Sequence, residues 1–417
     1  LALCAPCRLP NILMPRPESK NKKEGIMQAP TYERDFYADD FIQDPAPYYA
    51  EMRALGPVIW LPQQNAYAVA RHAEVVEVLQ RVKTFISGRG ISISEDVNKL
   101  LVGSTVNSDG VAHRRSRSIT ATPLMPKNIE PLEDYIRLTA QSLADRLVEK
   151  QEFDGVSEFA QILPYSIVID LIGLNDSGRE NMLKWAAATF DLMDGHNARS
   201  KKAFEDLVEL RAYLDKYGQA KYLKEGGLAR RIFDLAPENG FTEEEAAQLM
   251  RDYIAPSLDT TIAATGYIPY FFAHNPQQWE YLQNNPELVP NAVEEIVRLV
   301  SPIRSFARYI NEDTSLSGVD LPEGGRIMVV YGAANRDERV FENPDKFDIT
   351  RKVRKHVGFG FGVHTCMGLH LARREMVNLI EAMRTRVKCW HIAGETERAM
   401  NNSIHAFGKL PVRVEPL

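Results

Sequence analysis

The sequence is poor in cysteine, with four in 417 residues: Cys4, Cys7, Cys366 and Cys389. No disulfide framework can be read from so few, which fits a reducing cytoplasm. Cys4 and Cys7 make a lone C-x-x-C without a second pair or a strand–helix context, so neither a zinc site nor a redox pair is expected there, and Cys389 reads as a packing residue. Positive charge is also short. Fifty Lys and Arg against 56 Asp and Glu leave a net −6, which argues against nucleic acid as a main partner. No apolar run approaches a membrane span, so no membrane partner is expected. No Gly/Ser-rich linker, repeat or low-complexity tract divides the chain. With 44% hydrophobic residues it can bury a large core, and one large domain over residues 27–417 is the reading. Residues 1–26 stand apart, beginning with Leu and carrying Pro6, Pro10, Pro15, Pro17 and the polar run 18–23. Their apolar part is too short and too broken for a signal segment. They read as a disordered leader or upstream sequence, with Met27 the natural start.

What is present is mostly helical periodicity. Helices are expected from Pro47 to Leu55, His72 to Gln80, Pro131 to Val148, Ser157 to Ile172, Ser177 to Met193 and Lys201 to Tyr222. Val58 to Ala70 alternates about Pro62-Gln63-Gln64-Asn65 as a hairpin. Strands at Thr314–Leu316 and Arg326–Tyr331 flank turns at Ser317-Gly318 and Glu323-Gly324-Gly325, marking a second small sheet. Phe85 to Asp109 is polar, glycine-bearing and without periodicity, a long connection of the kind that is functional or disordered. The fold class is therefore mainly α with small β-sheets.

One stretch organises the rest: Phe359-Gly360-Phe361-Gly362-Val363-His364-Thr365-Cys366-Met367-Gly368, followed at once by an apolar-periodic run. A cysteine just ahead of a helix has first-turn N–H groups and the positive end of the macrodipole to stabilise its thiolate, the metal-binding form. Gly360, Gly362 and Gly368 offer positive φ angles or bare backbone that a flat ring can approach.

Phe359, Gly360, Gly362, His364, Cys366 and Gly368 resemble the Phe-Gly-x-Gly-x-His-x-Cys-x-Gly signature of the cytochrome P-450 family, and Leu371-Ala372-Arg373 continues it. The resemblance implies the P-450 fold, haem b as cofactor and Cys366 as the proximal thiolate on its iron. Phe359, Gly360 and Gly368 would then lie against the cofactor. It implies that His113 and Arg117, four apart and so on one helix face, bind the haem propionates with Arg308 and His364. Asp109 precedes that pair as the family pattern requires, although Gly110 and Val111 replace prolines. Taken alone, the pair with Arg114 and Arg115 between could equally be a solvated face.

A second constellation opens at Thr242, which with Glu245 forms a capping box. One helix of about 30 residues, roughly 45 Å long, is expected from here to His274, kinked or opened at Pro256, which cannot donate to the Asp252 carbonyl. Asp259-Thr260 beside that turn resembles the family's acid–alcohol pair. Thr260 would hold a water or dioxygen and Asp259 would renew the proton supply. Pro256 and Ser257 depart from the family's small residue and glycine; Ser257 either bonds back to the Tyr253 carbonyl and keeps the groove open, or narrows it.

Glu295 and Arg298, with Arg351 from a later meander, match a structural triad of the family. Ala255, Ile303 and Phe306 are the expected substrate-pocket residues. Arg351-Lys352-Val353-Arg354-Lys355 and Arg373-Arg374 concentrate positive charge on the cysteine side, which would steer an acidic ferredoxin. The implied activity is that of a bacterial, soluble, cytoplasmic haem-thiolate monooxygenase using O2, a separate ferredoxin and ferredoxin reductase, and a small hydrophobic or aromatic substrate. Hydroxylation or O-demethylation of a methoxy-aromatic compound is the expected reaction, with terpenoid or fatty-acid hydroxylation as the alternative. A peroxide-driven peroxygenase and a non-catalytic haem carrier or gas sensor fit the acid–alcohol pair less well.

Overall fold

The structure is a computed structural model and describes residues 27–417 apart from 195, 196 and 255. The expected leader, Cys4, Cys7 and the pocket residue Ala255 therefore lie outside the described residues.

Helices dominate, as the periodicity requires. Pro45–Leu55, His72–Gln80, Glu133–Lys150, Met182–Asp191 and Ala198–Tyr217 lie where expected to within a few residues. Leu228–Leu235 is a further helix that the periodicity reading passed over. The Ser157–Ile172 expectation resolves into a π-helical turn, Gly155–Ala160, and an α-helix, Ile162–Ile172. This apolar stretch, Gly155–Ile172, is long enough by composition to cross a membrane, contrary to the sequence reading. Its Val156, Phe159, Leu163, Ile167 and Ile172 are instead packed in the main core.

The main core lies between Glu133–Lys150, Asp259–His274, Val289–Val300 and Leu369–Arg384. Trp279 is fully packed there and donates its indole N–H to the Val387 carbonyl at 3.0 Å, so the largest apolar side chain also satisfies its one polar atom.

The second sheet is not separate. Ser305–Ile310 and Arg326–Val330 join the N-terminal hairpin in one five-stranded sheet, ordered Ile59–Leu61, Ala66–Val69, Arg326–Val330, Ser305–Ile310, Phe85–Ile86. The reason is the run Arg326-Ile327-Met328-Val329-Val330, apolar on both faces. Ile327 and Val329 pack into one cluster and Met328 and Val330 into another, so the strand belongs in the middle of a sheet. Thr314–Leu316 and Val319–Leu321 form a separate hairpin. Ser317 and Gly318 both have positive φ there, 47° and 82°, as a two-residue hairpin turn needs. A three-stranded sheet of Glu152–Asp154, Pro411–Pro416 and Val387–Ile392 closes the C-terminal end.

The stretch 85–109 is more ordered than its composition implies. It holds strand Phe85–Ile86 and helix Glu95–Leu100, capped by Ser94.

The opening expected at Pro256 in the long helix from Thr242 is found, and it goes as far as a break into two helices. The capping box forms, with Thr242 N–H on Glu245 at 2.9 Å and Glu245 N–H on the Thr242 hydroxyl at 3.2 Å. Helix Glu243–Met250 then tightens into a 3-10 turn, Arg251–Tyr253, and a new helix, Asp259–His274, begins after Pro256. Proline removes one donor from the ladder, and the Ser257 hydroxyl bonds back to the Tyr253 carbonyl, so the helical hydrogen bonding is interrupted twice in succession.

Candidate functional site

The cysteine loop is held by its own backbone. Cys366 N–H donates to the Phe359 carbonyl at 2.8 Å, closing the loop on itself. Gly360 and Gly362 take positive φ, 72° and 70°. Gly368 does not, contrary to one sense of its expected role. A Cβ there would instead stand 3.9 Å from the Cys366 sulfur, so its missing side chain leaves the sulfur's surroundings bare.

Cys366 has accessible surface, yet the protein packed around it pushes its thiol above the ordinary value. Both facts describe a sulfur that opens into a hollow walled by protein. Against that burial, the N–H groups of Gly368 and Leu369 at the start of helix Leu369–Arg384, and the guanidiniums of Arg117 and Arg373, favour the thiolate.

Around the same hollow stand two guanidiniums, Arg117 and Arg308, and two imidazoles, His113 and His364. Helix Gly110–Ala121 carries His113 and Arg117 on one face. Arg117 donates to the Thr365 carbonyl in the cysteine loop. Arg308, on strand Ser305–Ile310, is 4% exposed, and its guanidinium donates to the Ala307 carbonyl at 2.8 Å. Among the described residues neither guanidinium has a carboxylate partner. His113 lies 4.2 Å from His364, ring centre to ring centre, the two rings tilted by 52°. Its Nε2 is buried with no hydrogen-bond partner among the described residues. Burial, then the charges of His364 and Arg117, hold His113 down to about 4. Burial and the nearby Arg308 also lower His364, while the Asp109 carboxylate, 3.9 Å from its Nε2, opposes them. Asp109 is itself fixed by the N–H groups of Ser87 and Gly88 at 3.0 and 2.6 Å. Its orienting place beside His364 is a function that sequence reasoning, which saw it only as preceding His113, did not assign.

Buried cations and an orphaned imidazole nitrogen call for a ligand that brings negative charge and hydrogen-bond acceptors. The haem group fits on these observations: its two propionates would meet Arg117, Arg308, His113 and His364, its iron the Cys366 sulfur, and its ring the bare backbone of Gly360 and Gly368.

Asp259 begins the second half of the broken helix. Burial, and then the neighbouring charge of Asp191, push its carboxyl up to about 7. The Thr260 hydroxyl donates to the Pro256 carbonyl at 2.8 Å, so the opened turn holds the alcohol and leaves its lone pairs to accept. Tyr253 donates to the Thr120 carbonyl, and Thr105 N–H to Asp252 at 2.9 Å, tying the break to the helix that bears Arg117.

Ile303 and Phe306 sit where three elements converge. They pack with Phe190 from helix Met182–Asp191, Ala263 from helix Asp259–His274 and Ile404 from the C-terminal loop. Ile303 pairs with Ile404 as an isolated bridge. Phe190, Ala263 and Ile404 were missed in the sequence, because nothing in the unpatterned segment around Ile404 announces a return to the centre. Beside Phe306 a small, partly open space of about 10 Å³, lined also by Tyr37, Ser92, Met193 and Ser305, has room for one water.

On the opposite side, Glu295 joins Arg298 at 2.7 and 2.8 Å and Arg351 at 3.0 Å. Arg298 also donates to the carbonyls of Asn335 and Pro344 at 2.7 and 2.8 Å. The expected basic patch is thinner than its sequence. Arg351, Arg373 and Arg374 are consumed by Glu295, Glu294 and Glu133. Lys352, Arg354 and Lys355 stay exposed, without an ion pair among the described residues. A cleft of about 650 Å³ under the cysteine loop is lined by Glu294, Arg354, His356, Phe359, Phe361 and Arg373. Burial would raise Glu294, but His356 and Arg373 hold it down to about 2.

Comparison with known proteins gives a consistent picture. The family model for cytochrome P-450 matches residues 227–386. The cytochrome CYP199A2 of Rhodopseudomonas palustris is 34% identical over 386 residues, 92% of this chain and 94% of that protein. Linalool 8-monooxygenase of Pseudomonas putida is 27% identical over 90% of this chain and 96% of its own length. The crystal structure of P-450 BioI in complex with hexadec-9Z-enoic acid ligated acyl carrier protein superposes with a TM-score of 0.81 at 27% identity, covering 90% of this chain and all of that one.

Proposed function

The chain belongs to the cytochrome P-450 family and is a haem-thiolate monooxygenase; from that premise we propose that Cys366 is its iron ligand, Asp259 and Thr260 its proton-handling pair, and a small aromatic compound its substrate. The observation that carries the site assignment is the pair of guanidiniums, Arg117 and Arg308, with no carboxylate among the described residues, beside the orphaned Nε2 of His113 and the Cys366 thiol. Haem b, when bound, supplies the iron at which dioxygen is reduced and one oxygen atom passes to the substrate.

The chain's own residues do the rest. The Gly368 and Leu369 N–H groups hold the Cys366 thiolate, while Arg117, Arg308, His113 and His364 anchor the propionates. Asp259, raised to about 7, keeps a proton to give near neutral pH. Thr260, with its hydroxyl hydrogen committed to Pro256, accepts that proton's hydrogen bond directly or through water. Glu295, Arg298 and Arg351 act structurally, beneath the cysteine loop.

Replacing Arg117 and Arg308 together by Leu should speed haem transfer to apomyoglobin by at least about tenfold, since each charge-assisted bond contributes on the order of 1.5 kcal/mol or more. An unchanged transfer rate would remove the propionate assignment.

The electron donor in this reading is a separate ferredoxin served by a ferredoxin reductase, docking over Lys352, Arg354 and Lys355 in the cytoplasm. The low cysteine count supports that compartment. The close packing around Phe306 supports a compact, flat substrate, and O-demethylation of a methoxy-aromatic compound is the reaction we favour. The similarity to linalool 8-monooxygenase supports terpenoid hydroxylation as a second reading. Spin-state shifts with matched panels of methoxybenzenes and monoterpenes decide between them.

A further inference from the structure

Asn402 belongs to no motif, yet it is fully buried and makes more polar contacts than its neighbours. Its amide oxygen accepts from Asn197 Nδ2 at 2.7 Å and Arg199 Nε at 2.8 Å. Its amide nitrogen donates to the Asp191 carbonyl at 2.6 Å, and towards Asn197 Oδ1 and Ser200 Oγ at 3.1 Å each. Its backbone N–H reaches the Asp191 carboxylate at 2.8 Å, and its carbonyl accepts from Arg304 at 2.5 Å. The amide orientation is dictated by chemistry: Arg199 can only donate and the Asp191 carbonyl can only accept.

The partners lie on both sides of one junction. Asp191 ends helix Met182–Asp191, and Asn197 caps helix Ala198–Tyr217 by accepting from Ser200 N–H. The first of these helices carries Phe190 onto Ile303, Phe306 and Ile404, and its last residue stands electrostatically beside Asp259. Arg199 continues the bond network outward to the Tyr37 carbonyl and to Asp39, both at 2.6 Å.

We propose that Asn402 is a positioning residue that clamps the end of helix Met182–Asp191 and the start of helix Ala198–Tyr217 onto the C-terminal loop, so holding Phe190 against Ile303 and Phe306 and Asp191 near Asp259, and setting how readily a bulky ligand passes. The proposal rests on the reading of the site given above. The bonds Asn402 makes to Asp191, Asn197, Arg199, Ser200 and Arg304 all join separate chain segments, so their loss leaves each helix, with its Asn197 cap, internally intact and releases only their junction. The amide is also fully buried, and removing it takes one hydrogen-bond partner each from Asp191, Asn197 and Arg199.

The test is stopped-flow binding to the ferric holoenzyme with two probes, phenylimidazole, which fills a substrate-sized space, and cyanide, which does not. In Asn402→Ala, phenylimidazole association and dissociation should both accelerate about tenfold while cyanide changes less than about twofold, the pattern of a loosened lid. Arg199→Gln, which removes one clamp bond at a more accessible position, should move the phenylimidazole-to-cyanide ratio the same way by a smaller factor, and it decides the matter if Asn402→Ala does not fold. Haem-loaded variants that melt earlier but keep the wild-type ratio would show Asn402 to be an ordinary stabilising contact and overturn the proposal. Wild-type protein that takes up no haem would instead sink the site reading on which it rests.

Discussion

Replacing Glu295 by Gln keeps the shape of the side chain and removes its charge. In the structure that carboxylate is fully buried and receives four hydrogen bonds, two from Arg298, one from Arg351 and one from Asp348 N–H at 3.1 Å. Arg298 is equally buried, so the variant leaves its guanidinium without a counter-charge, held by neutral acceptors such as the carbonyls of Asn335 and Pro344. Breaking a buried pair from one side costs about 3–5 kcal/mol. At an unfolding entropy near 2.1 cal/mol/K per residue, that lowers the melting temperature of a chain this long by about 5 °C. The loss also has a direction. Arg298 holds the Asn335 carbonyl, and the Asn335 side chain accepts from Val357 N–H at 2.7 Å, where the chain enters the cysteine loop. Loosening should therefore reach Cys366, and Glu295→Gln should be isolated with a reduced haem-to-protein ratio. Glu381→Gln is the control, because its pair with Arg384 is partly exposed and contributes about 1 kcal/mol at most. Differential scanning calorimetry with haem quantitation reads both effects. A Glu295→Gln protein that melts within about 1 °C of wild type and holds full haem would refute the reasoning.

Other consequences follow from single groups. Asp259→Asn should lower turnover by about 10² or more and divert electrons to peroxide, read as the ratio of product formed to reductant consumed. Because the Asp191 charge helps raise Asp259 to about 7, turnover should decline as pH rises through that value, and Asp191→Asn should move the decline to lower pH; an unmoved profile would deny the coupling. Burial lifts Glu375 from 4.5 to about 8, and its Oε2 has no partner among the described residues. The folded state then keeps a proton that the unfolded chain releases, so wild type should lose stability as pH climbs from about 4.5 towards 8, by on the order of a few kcal/mol, and Glu375→Gln should flatten that slope in urea titrations. Charge reversal at Lys352 and Arg354 should slow ferredoxin-driven reduction most at low salt; an unchanged salt dependence would move the donor elsewhere.

Much of this was legible in the chain because local rules and the fold agree. The capping box at Thr242, the Ser317-Gly318 turn and the hairpin about Pro62 appear as read, each being set by a few adjacent residues. The back-bond of Ser257, left open against a narrowed groove, is formed. What the sequence hid depends on residues far apart. Arg373 looks like a free cation until folding places Glu294 against it. The membership of Arg326–Val330 in the N-terminal sheet needs a parallel partner more than 250 positions away, Tyr67 to Val69. The Asn402 clamp and the seat of Asp109 beside His364 have no local signature, since each is defined only by where other segments arrive.

The central claim is that Cys366 is the thiolate ligand of a bound haem, and the most direct measurement is the absorption spectrum of the reduced, CO-bound protein. The account predicts the strongly red-shifted Soret band of thiolate ligation in the wild type, lost in Cys366→His with haem still present. An imidazole-type band in folded wild-type protein, or a thiolate band that survives Cys366→His, would contradict it.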